Sequence, residues 1–365
     1  MQPVQSLDHA EFDARSVLDV RGSEFASDVI PNFSEIDAPN MAFDPARGMV
    51  LKNNSVDFNP FAPPPPKMVP VGTVLDGKKP RITNEQAIIR AMARQAEGYT
   101  PAHFIQAPSR QALVCGFGPS IGDMPIIKTI RAMQKRGGSI VATNMAHDFL
   151  VRKAIIPDYG VLMDPMPWIA DYVKRPQKST KYLLASQCDP KVFDNLKGFD
   201  RYLWHADFDV PERGIMEPGN TLNTKQSAPF LAVPGQTTVG LRSFWLMYSI
   251  GYRDFHFFGL DSSKRGADHH VIAKPSNVKK LRDVTIVLRT KAGDIEFETN
   301  EHMAKQAADF DEMVKMVAEF YAEKKMELVS FTFHGDGLLP TTAALSGWHA
   351  DPEMNARYGG AKAVA

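Results

Sequence analysis

The chain has 365 residues, of which 44% are hydrophobic, and its 42 lysines and arginines balance 42 aspartates and glutamates. The length predicts two domains, or one domain with extensions, and the zero net charge argues against broad binding to nucleic acids or anionic membranes. Two cysteines are too few for a disulfide framework, and the sequence lacks a signal peptide and a long apolar run, so we expect a cytoplasmic protein that does not span a membrane.

Residues 1–80 differ from the rest of the chain. They show no sustained hydrophobic periodicity, and prolines occupy every position from 63 to 66. A proline run favours an extended polyproline segment and excludes a helix or a central strand. We therefore predict a largely irregular N-terminal arm, which is either a disordered extension or a docking arm for a partner or for a second copy in a homo-oligomer.

Ordered structure is expected to begin near Ile82, where Thr83 and Gln86 match the spacing of a helix-capping box. From there to residue 345, apolar runs alternate with stretches of helical periodicity. The predicted strands are 111–117, 139–144, 158–164, 181–186, 200–206 and 254–261. The alternation predicts a Rossmann-like α/β domain over 81–345, with a mostly parallel sheet and helices on both faces.

The last third of this domain departs from the alternation. Two runs of alternating polarity, RDVTIVLRT and DIEFET, flank KAG and predict a late β-hairpin. A long amphipathic helix follows, with apolar positions from Met303 to Tyr321, and then a last strand, MELVSFT. Residues 346–365 are small and polar and predict a C-terminal tail.

Polar residue types follow nearly every predicted strand. In an open parallel sheet, ligands bind in a crevice outside the carboxyl ends of the strands, so these positions are the first candidates for a site. In chain order they are Gly116 to Ser120, Asn144, Asp164, Ser186 with Gln187, His205 and Asp261.

The first of these strand ends reads CGFGPS, residues 115–120. Glycines let the backbone approach a phosphate, and the N-terminus of a following helix, opened by Ser120, favours an anion. A dinucleotide-binding turn would need a glycine in place of Ile121 and an acidic ribose ligand in place of Asn144, which disfavours a nicotinamide enzyme. The turn therefore predicts either a phosphate site or a tight strand-to-helix connection.

Two aspartates at strand ends are candidates for metal or acid–base chemistry. Asp164 and Asp261 could face one cleft, where carboxylates near substrate phosphates commonly hold Mg²⁺. Asp261 could instead be a catalytic base that takes a proton from an attacking hydroxyl, and His270, on the polar loop after it, could do the same. The alternatives are helix-capping aspartates and a solvated turn.

A second helix start carries hydroxyl groups. Thr237 and Thr238, in the stretch GQTTVG, begin a helix that is apolar nearly all round. Their hydroxyls and the helix N-terminus could hold a phosphate or a carboxylate, or Thr237 could simply cap the helix.

Taken in order, these segments resemble the 6-hydroxymethylpterin diphosphokinase MptE-like family over residues 110–340. The matching stretches are CGFGPSI, ATNMAHDFLVRKAIIPDYGVLMDP, LASQCDPKVFDNLKGFDRYLWH, GQTTVGLRSFWLMYSIGYRDFHFFGLDSS and GDIEFETNEHMAKQAADF. The resemblance implies a Rossmann-like fold and the transfer of diphosphate from ATP to the hydroxymethyl group of a pterin, with Mg²⁺. Relatives with similar turns include proteins of flagellin glycosylation, and the turn is also similar to that of bacterial sialyltransferases that use CMP-activated sugars.

By position, the resemblance implies contacts between the donor phosphates and four residues of the turn, which are Gly116, Gly118, Pro119 and Ser120. It also implies that Asn144 contacts the nucleotide and that Asp164 and Asp261 are metal or catalytic candidates. The loop KRGADHH and Gln236 match no pattern of the family.

Three functions follow as hypotheses. The first is a Mg²⁺-dependent diphosphokinase that uses ATP and a pterin-type acceptor. The second is a glycosyltransferase that uses a CMP- or UDP-activated sugar and a glycan acceptor. The third is a non-catalytic assembly protein on a transferase scaffold, which the proline-containing arm suggests.

Overall fold

The structure is a computed structural model of the chain. It describes residues 18–21, 41–44, 48–51, 90, 93–94, 97–206, 232–233, 238–266, 268, 270–271, 283–324, 329–349 and 351–358. The predicted capping box of Thr83 and Gln86 and the proline run lie outside the described residues.

The described elements follow the predicted alternation. The strands are β1 (Leu18–Arg21), β2 (Met41–Asp44), β3 (Gly48–Leu51), β4 (Thr100–Pro101), β5 (Gln111–Cys115), β6 (Ser139–Thr143), β7 (Tyr159–Leu162), β8 (Lys181–Ala185), β9 (Arg201–Ala206), β10 (Ala232–Val233), β11 (Asp254–Phe258), β12 (Asp283–Thr290), β13 (Gly293–Asn300) and β14 (Ser330–His334). The α-helices are α1 (Met124–Lys135), α2 (Ala146–Arg152), α3 (Pro190–Asn195), α4 (Val239–Ile250), α5 (Glu301–Lys324), α6 (Leu338–Leu345) and α7 (Pro352–Tyr358). Short 3₁₀ helices cover Ala102–Phe104, Pro119–Gly122 and Pro167–Val173.

A parallel sheet forms the centre of the domain. Its strand order is β10-β9-β8-β7-β6-β5-β11-β14, with β4 also paired to β9, and every neighbouring pair is parallel. The central strands are continuous apolar runs because both faces are covered, and residues 112–115 of β5 are fully buried. Cys115 and Cys188 are free thiols in this interior.

Helices pack on both faces of the sheet, as predicted. On one face, Ile127 and Ile130 of α1 and Phe149 of α2 join the core that contains Leu113 and Cys115. On the other face, the aromatic rings of α4 and α5 meet those of the strands: Phe244 lies 4.7 Å from Phe255, and Phe310 lies 4.9 Å from Phe333. The predicted α/β class is therefore confirmed.

The predicted late hairpin is also present. Strands β12 and β13 pair antiparallel from Asp283 with Asn300 to Thr290 with Gly293. Within the predicted N-terminal arm, β1 pairs antiparallel with β12 and β2 pairs with β3. The described part of the arm therefore adds a third strand to the hairpin.

The sequence patterns missed two helices near the end of the chain. Helix α6, LLPTTAAL, is buried at every position, so it has no polar face that would reveal a helical period. Beyond residue 345, His349 is buried against Phe333, and α7 follows. The domain therefore continues into the segment predicted as a tail. Among the described residues, no helix combines the length and the apolar character that a membrane crossing requires.

Candidate functional site

The strand order of the sheet has a switch point between β5 and β11. Strands β5 to β9 follow one another towards one edge, whereas β11 and β14 lie on the other side of β5. Such a switch point leaves a crevice at the carboxyl ends of its two strands, which is the expected ligand site of an open α/β sheet. The CGFGPS turn follows β5 and the Gly259–Asp261 segment follows β11, so both lie at this point.

The glycines of the turn are needed for contact between the two strand ends. The amide of Gly116 donates to the carbonyl of Phe258 at 2.8 Å, and the amide of Gly118 donates to the carbonyl of Gly259 at 2.7 Å. A Cβ at Gly116 would lie 2.6 Å from that Gly259 oxygen, and Gly259 itself has a φ of 63°. These two amides are therefore already hydrogen-bonded inside the protein.

Asp261 lies beneath the turn. Its carboxylate is 4% exposed, and its Oδ2 accepts a hydrogen bond from the amide of Ser120 at 2.9 Å. Gly335 and Gly337 of the loop after β14 lie close against it, with no room for a Cβ. Burial raises the pKa of Asp261, and hydrogen bonds from Ser120 and the charge of Arg265 oppose that rise. We call Gly116, Gly118, Ser120, Gly259 and Asp261 the glycine cluster.

Asp261 therefore occupies the position where the turn would hold an anion. The prediction that Ser120 opens the following helix was wrong, because Pro119 begins a separate 3₁₀ turn and α1 starts at Met124 with Asp123 as its N-cap. Ser120 is fully buried. The predicted phosphate contacts of the turn stay a prediction. The amides of Gly116, Gly118 and Ser120 are already hydrogen-bonded to groups of the protein.

A polar loop lies over the glycine cluster. The amide of Val271 donates to the carbonyl of Phe117, and the Phe117 ring lies 5.7 Å from His270 and 6.0 Å from Phe149. Arg265 of the same loop pairs with Asp123 at 2.8 Å and with Asp336 at 3.0 Å. The structure thus brings His270 and a half-exposed arginine to the switch point.

Asn144 and Asp164 lie together on the other side of β5. Asn144 has a φ of 44°, and its Nδ2 donates to Oδ2 of Asp164 at 2.8 Å. Asparagine tolerates this left-handed conformation better than most residues, which lets the side chain turn along the sheet edge.

The two predicted metal ligands follow strands that are not neighbours in the sheet. Asp164 follows β7 and Asp261 follows β11, and the strand order separates these strands by three spacings, or roughly 14 Å. In the part of the chain that the structure describes, no group of three or more histidine, cysteine, aspartate or glutamate side chains could hold a metal ion.

The ends of β8 and β9 carry a buried polar group whose members were noticed only as strand-end residues. Ser186 and Gln187 are fully buried, and the Ser186 hydroxyl lies 2.7 Å from Nδ1 of His205. Burial lowers the pKa of His205 to about 3, so its imidazole is neutral. Together with Asn144 and Asp164, these residues form what we call the polar cluster. The sequence signal was their position after strands, because no motif marks them.

At the start of α4, the Thr238 hydroxyl is bonded within the protein. The Thr238 hydroxyl accepts from the amide of Leu241 at 3.5 Å and from Nε2 of Gln306 at 2.6 Å. It caps α4 and connects that helix to α5, so the hydroxyl predicted to bind a phosphate or carboxylate is used within the protein. Thr237 and Gln236 lie outside the described residues.

Comparisons with known proteins find one family model that is similar to the middle of the chain. Residues 89–266 match the model described as "6-hydroxymethylpterin diphosphokinase MptE-like", and this segment contains both the glycine cluster and the polar cluster. The structure of the MAf glycosyltransferase from Magnetospirillum magneticum AMB-1 is 18% identical, with a TM-score of 0.48, and the match covers 70% of this chain and 37% of that one. The chain thus spans little more than a third of that protein's length. No curated protein matches the chain.

Proposed function

Because residues 89–266 match the model of the MptE-like family, we propose that the protein is a transferase that moves diphosphate from ATP to the hydroxymethyl group of a pterin-type acceptor. The family match carries this proposal. Its support in the fold is a parallel sheet whose switch point and neighbouring strand ends all carry polar groups.

The proposed reaction is a displacement at the β-phosphorus of ATP. The acceptor hydroxyl oxygen forms a bond to that phosphorus, the bond between it and the oxygen bridging to the α-phosphorus breaks, and AMP leaves. The hydroxyl proton passes to a base. We assign this role to His270, because its loop lies over the switch point, whereas Asp261 is enclosed beneath the turn.

The donor phosphates need cationic partners at the switch point. The amides of Gly116, Gly118 and Ser120 are used within the protein, and Gly116 and Ser120 are buried. Of the four predicted contacts, those of Gly118 and Pro119 would therefore be made by partly exposed atoms of the turn. Arg265 is 46% exposed at the same place and carries the positive charge that phosphates require. We therefore add Arg265 to the proposed donor site.

A resident Mg²⁺ held by two carboxylates does not fit. The roughly 14 Å between the ends of β7 and β11 excludes a common metal ion for Asp164 and Asp261. Magnesium that arrives bound to the ATP phosphates keeps most of its own waters and needs no such pair. We therefore treat Mg²⁺ as part of the donor substrate.

A glycosyltransferase with a CMP- or UDP-activated sugar is the second candidate. The resemblance of the CGFGPS turn to that of CMP-sugar enzymes favours it. The two donors differ in their base and in their need for metal, which makes them separable in solution.

A nucleotide panel tests the proposal. Thermal unfolding of the full chain would be measured with ATP, AMP, CMP and UDP, each with and without Mg²⁺. Ligands that bind the folded state raise the melting temperature, and we expect the largest rise with ATP and Mg²⁺. A rise with CMP or UDP alone would favour the glycosyltransferase, and no rise with any nucleotide would favour an assembly protein.

The remaining predictions on partners and location are proposals. We expect a small-molecule acceptor and no nucleic acid, in line with the zero net charge. Self-association through residues 1–80 would be seen as a change of mass in analytical ultracentrifugation when that segment is deleted. A cytoplasmic location would be checked by fractionating the source cells.

A further inference from the structure

The polar cluster contains a side chain whose hydrogen-bonding groups are unmatched. Gln187 is fully buried, and neither Oε1 nor Nε2 of its carboxamide has a hydrogen-bond partner among the residues that the structure describes. Oδ1 of Asn144 is buried and unmatched in the same sense. Buried polar atoms without partners are costly and uncommon, so something else is expected to supply these hydrogen bonds. Asn144 follows β6 and Gln187 follows β8, two strand spacings or roughly 10 Å apart, a distance that one fused-ring ligand can span.

The charged groups that act on Cys188, the chain neighbour of Gln187, sum to one negative charge: Asp164 and Asp189 are negative, and Arg90, which pairs with Asp189 at 3.3 Å, is positive. Ser186, the other chain neighbour of Gln187, is bonded to the neutral imidazole of His205. The one carboxylate of the cluster, Asp164, accepts from the Asn144 amide. A site with neutral donors and acceptors and a negative charge repels a phosphate and suits an uncharged, hydrogen-bonding ring.

The shape of a carboxamide narrows the chemistry further. Its oxygen and nitrogen lie side by side in one plane, so it pairs with a neighbouring N–H and C=O, or N–H and ring nitrogen, on the edge of a heterocycle. Since Gln187 is fully buried, a ring paired with it would be removed from water, where hydrogen bonds discriminate strongly between ligands.

We propose that the polar cluster is the site for a planar, uncharged heterocycle, with Gln187 pairing with its adjacent N–H and C=O groups and Asn144 accepting a further N–H. The choice of ring rests on the proposed function. A pterin carries such an edge, and so does a pyrimidine base, while the donor phosphates would lie at the glycine cluster. We favour the pterin, because its amino group adds the N–H donors that Asn144 and Asp164 can accept.

The test compares two leucine variants of the full chain. Gln187→Leu keeps the approximate volume and removes the carboxamide. Gln134→Leu is the matched control, because this half-buried α1 glutamine donates to the carbonyl of Ile156, away from the strand ends. Affinities for 6-hydroxymethylpterin, adenosine and cytidine would be measured by isothermal titration calorimetry, together with the melting temperature of each protein.

We expect Gln187→Leu to weaken the binding of the pterin about tenfold or more, since one or two hydrogen bonds are lost. Its melting temperature should stay level or rise, because a buried unmatched group has been removed. Gln134→Leu should leave every affinity unchanged. An equal loss for cytidine or adenosine in place of the pterin would keep the ring site and assign it to the nucleobase.

Two results would overturn the proposal. In the first, Gln187→Leu leaves all affinities unchanged, whatever happens to the melting temperature, which is expected if internal water alone pairs the carboxamide. In the second, the wild-type protein binds none of the three rings. The proposed function fails separately: a protein that binds the pterin through Gln187 but forms no AMP from ATP retains the ring site without the activity.

Discussion

The two halves of the sheet's carboxyl edge are built differently. At the switch point, the backbone amides of the glycine cluster are bonded within the protein: those of Gly116 and Gly118 bond to carbonyls at the end of β11, and that of Ser120 bonds to Asp261. Oγ of Ser120 and Oδ1 of Asp261 have no hydrogen-bond partner among the described residues. Above β6 to β9, the polar cluster leaves the carboxamide of Gln187 and one oxygen of Asn144 without partners among the described residues.

The difference distinguishes polar groups that hold the fold together from polar groups that are available to bind a ligand. A motif made of glycines and a serine attracts attention in the sequence, yet its residues mainly allow two strand ends to touch. Unmatched side-chain atoms occur in both clusters, but Gln187 of the polar cluster, which carries no motif, has both carboxamide atoms unmatched among the described residues. Substitutions in the glycine cluster should therefore change stability first, whereas those in the polar cluster should change binding first.

The largest expected effect on stability is that of Gly118→Ala. The φ of Gly118 is −66°, which any residue adopts, so the cost comes from the new Cβ against Oδ2 of Asp261 and the carbonyl of Gly259. We expect a loss of about 3 kcal/mol in the free energy of unfolding. Urea denaturation measures it.

Gly98→Ala is the control for Gly118→Ala, because Gly98 has a φ of 74° and nothing within 4 Å. It should cost only the conformational strain of about 1 kcal/mol. Equal losses in the two variants would mean that the strand ends are not tightly packed. They would contradict the view that the glycine cluster mainly serves stability.

Replacement of His270, the proposed base, should have the next largest effect. We expect His270→Ala to lower kcat for diphosphate transfer about 100-fold with a smaller change in KM, since proton transfer is lost. His302→Ala, on α5, is the control and should leave kcat unchanged. An unchanged kcat in His270→Ala would contradict the assignment of the catalytic base to the loop over the glycine cluster.

The pH dependence of stability should distinguish the two aspartates that flank β11. The pKa of Asp261 is raised by burial, so its contribution to stability is lost as the pH rises from the unfolded value of about 4 through the folded value. Asp261→Asn should abolish this loss. Urea denaturation between pH 4 and pH 8 would show it as a flatter profile, and an unchanged profile would contradict the buried position of Asp261.

Asp254, at the start of β11, should give a pH dependence of stability that is opposite in sign to that of Asp261. Hydrogen bonding to His256, and then to Ser330 and Gln111, holds its pKa well below the usual range despite partial burial. Its contribution is therefore present above the unfolded pKa and is lost as the pH falls through the folded pKa. Asp254→Asn should reduce the stability at neutral pH and leave the acid side nearly unchanged.

The smallest expected effect on stability belongs to Arg265→Ala. Its pairs with Asp123 and Asp336 are exposed, so we expect a loss of about 0.5 kcal/mol at low salt that disappears at high salt. The same variant should raise KM for ATP about tenfold if Arg265 binds the donor phosphates, one charge-assisted hydrogen bond being lost. An unchanged KM would place the donor away from the glycine cluster.

Much of the fold could be predicted from the sequence, because apolar runs between helical stretches report a sheet that is buried on both faces. The exact ends of the strands could not, and β11 stops at Phe258 because Gly259 turns the chain with a positive φ. Helix α6 was missed for a related reason, since complete burial leaves no amphipathic pattern.

The sequence predicted which residues of the candidate site follow strands. It did not predict which of these residues lie close together. Which ends meet depends on the strand order, and the reversal at β5 separates Asp164 from Asp261. Whether a polar group is available depends on its partners, and no local pattern reveals that Asp261 bonds to Ser120 while Gln187 bonds to none of the described residues.

The activity that we propose for the protein is the transfer of diphosphate from ATP to a pterin. The most direct measurement incubates the full chain with ATP, Mg²⁺ and 6-hydroxymethylpterin and follows AMP and the pterin diphosphate together by chromatography. We expect the two products to appear in equal amounts and to depend on the pterin. No AMP with any 6-hydroxymethylpterin would contradict the claim.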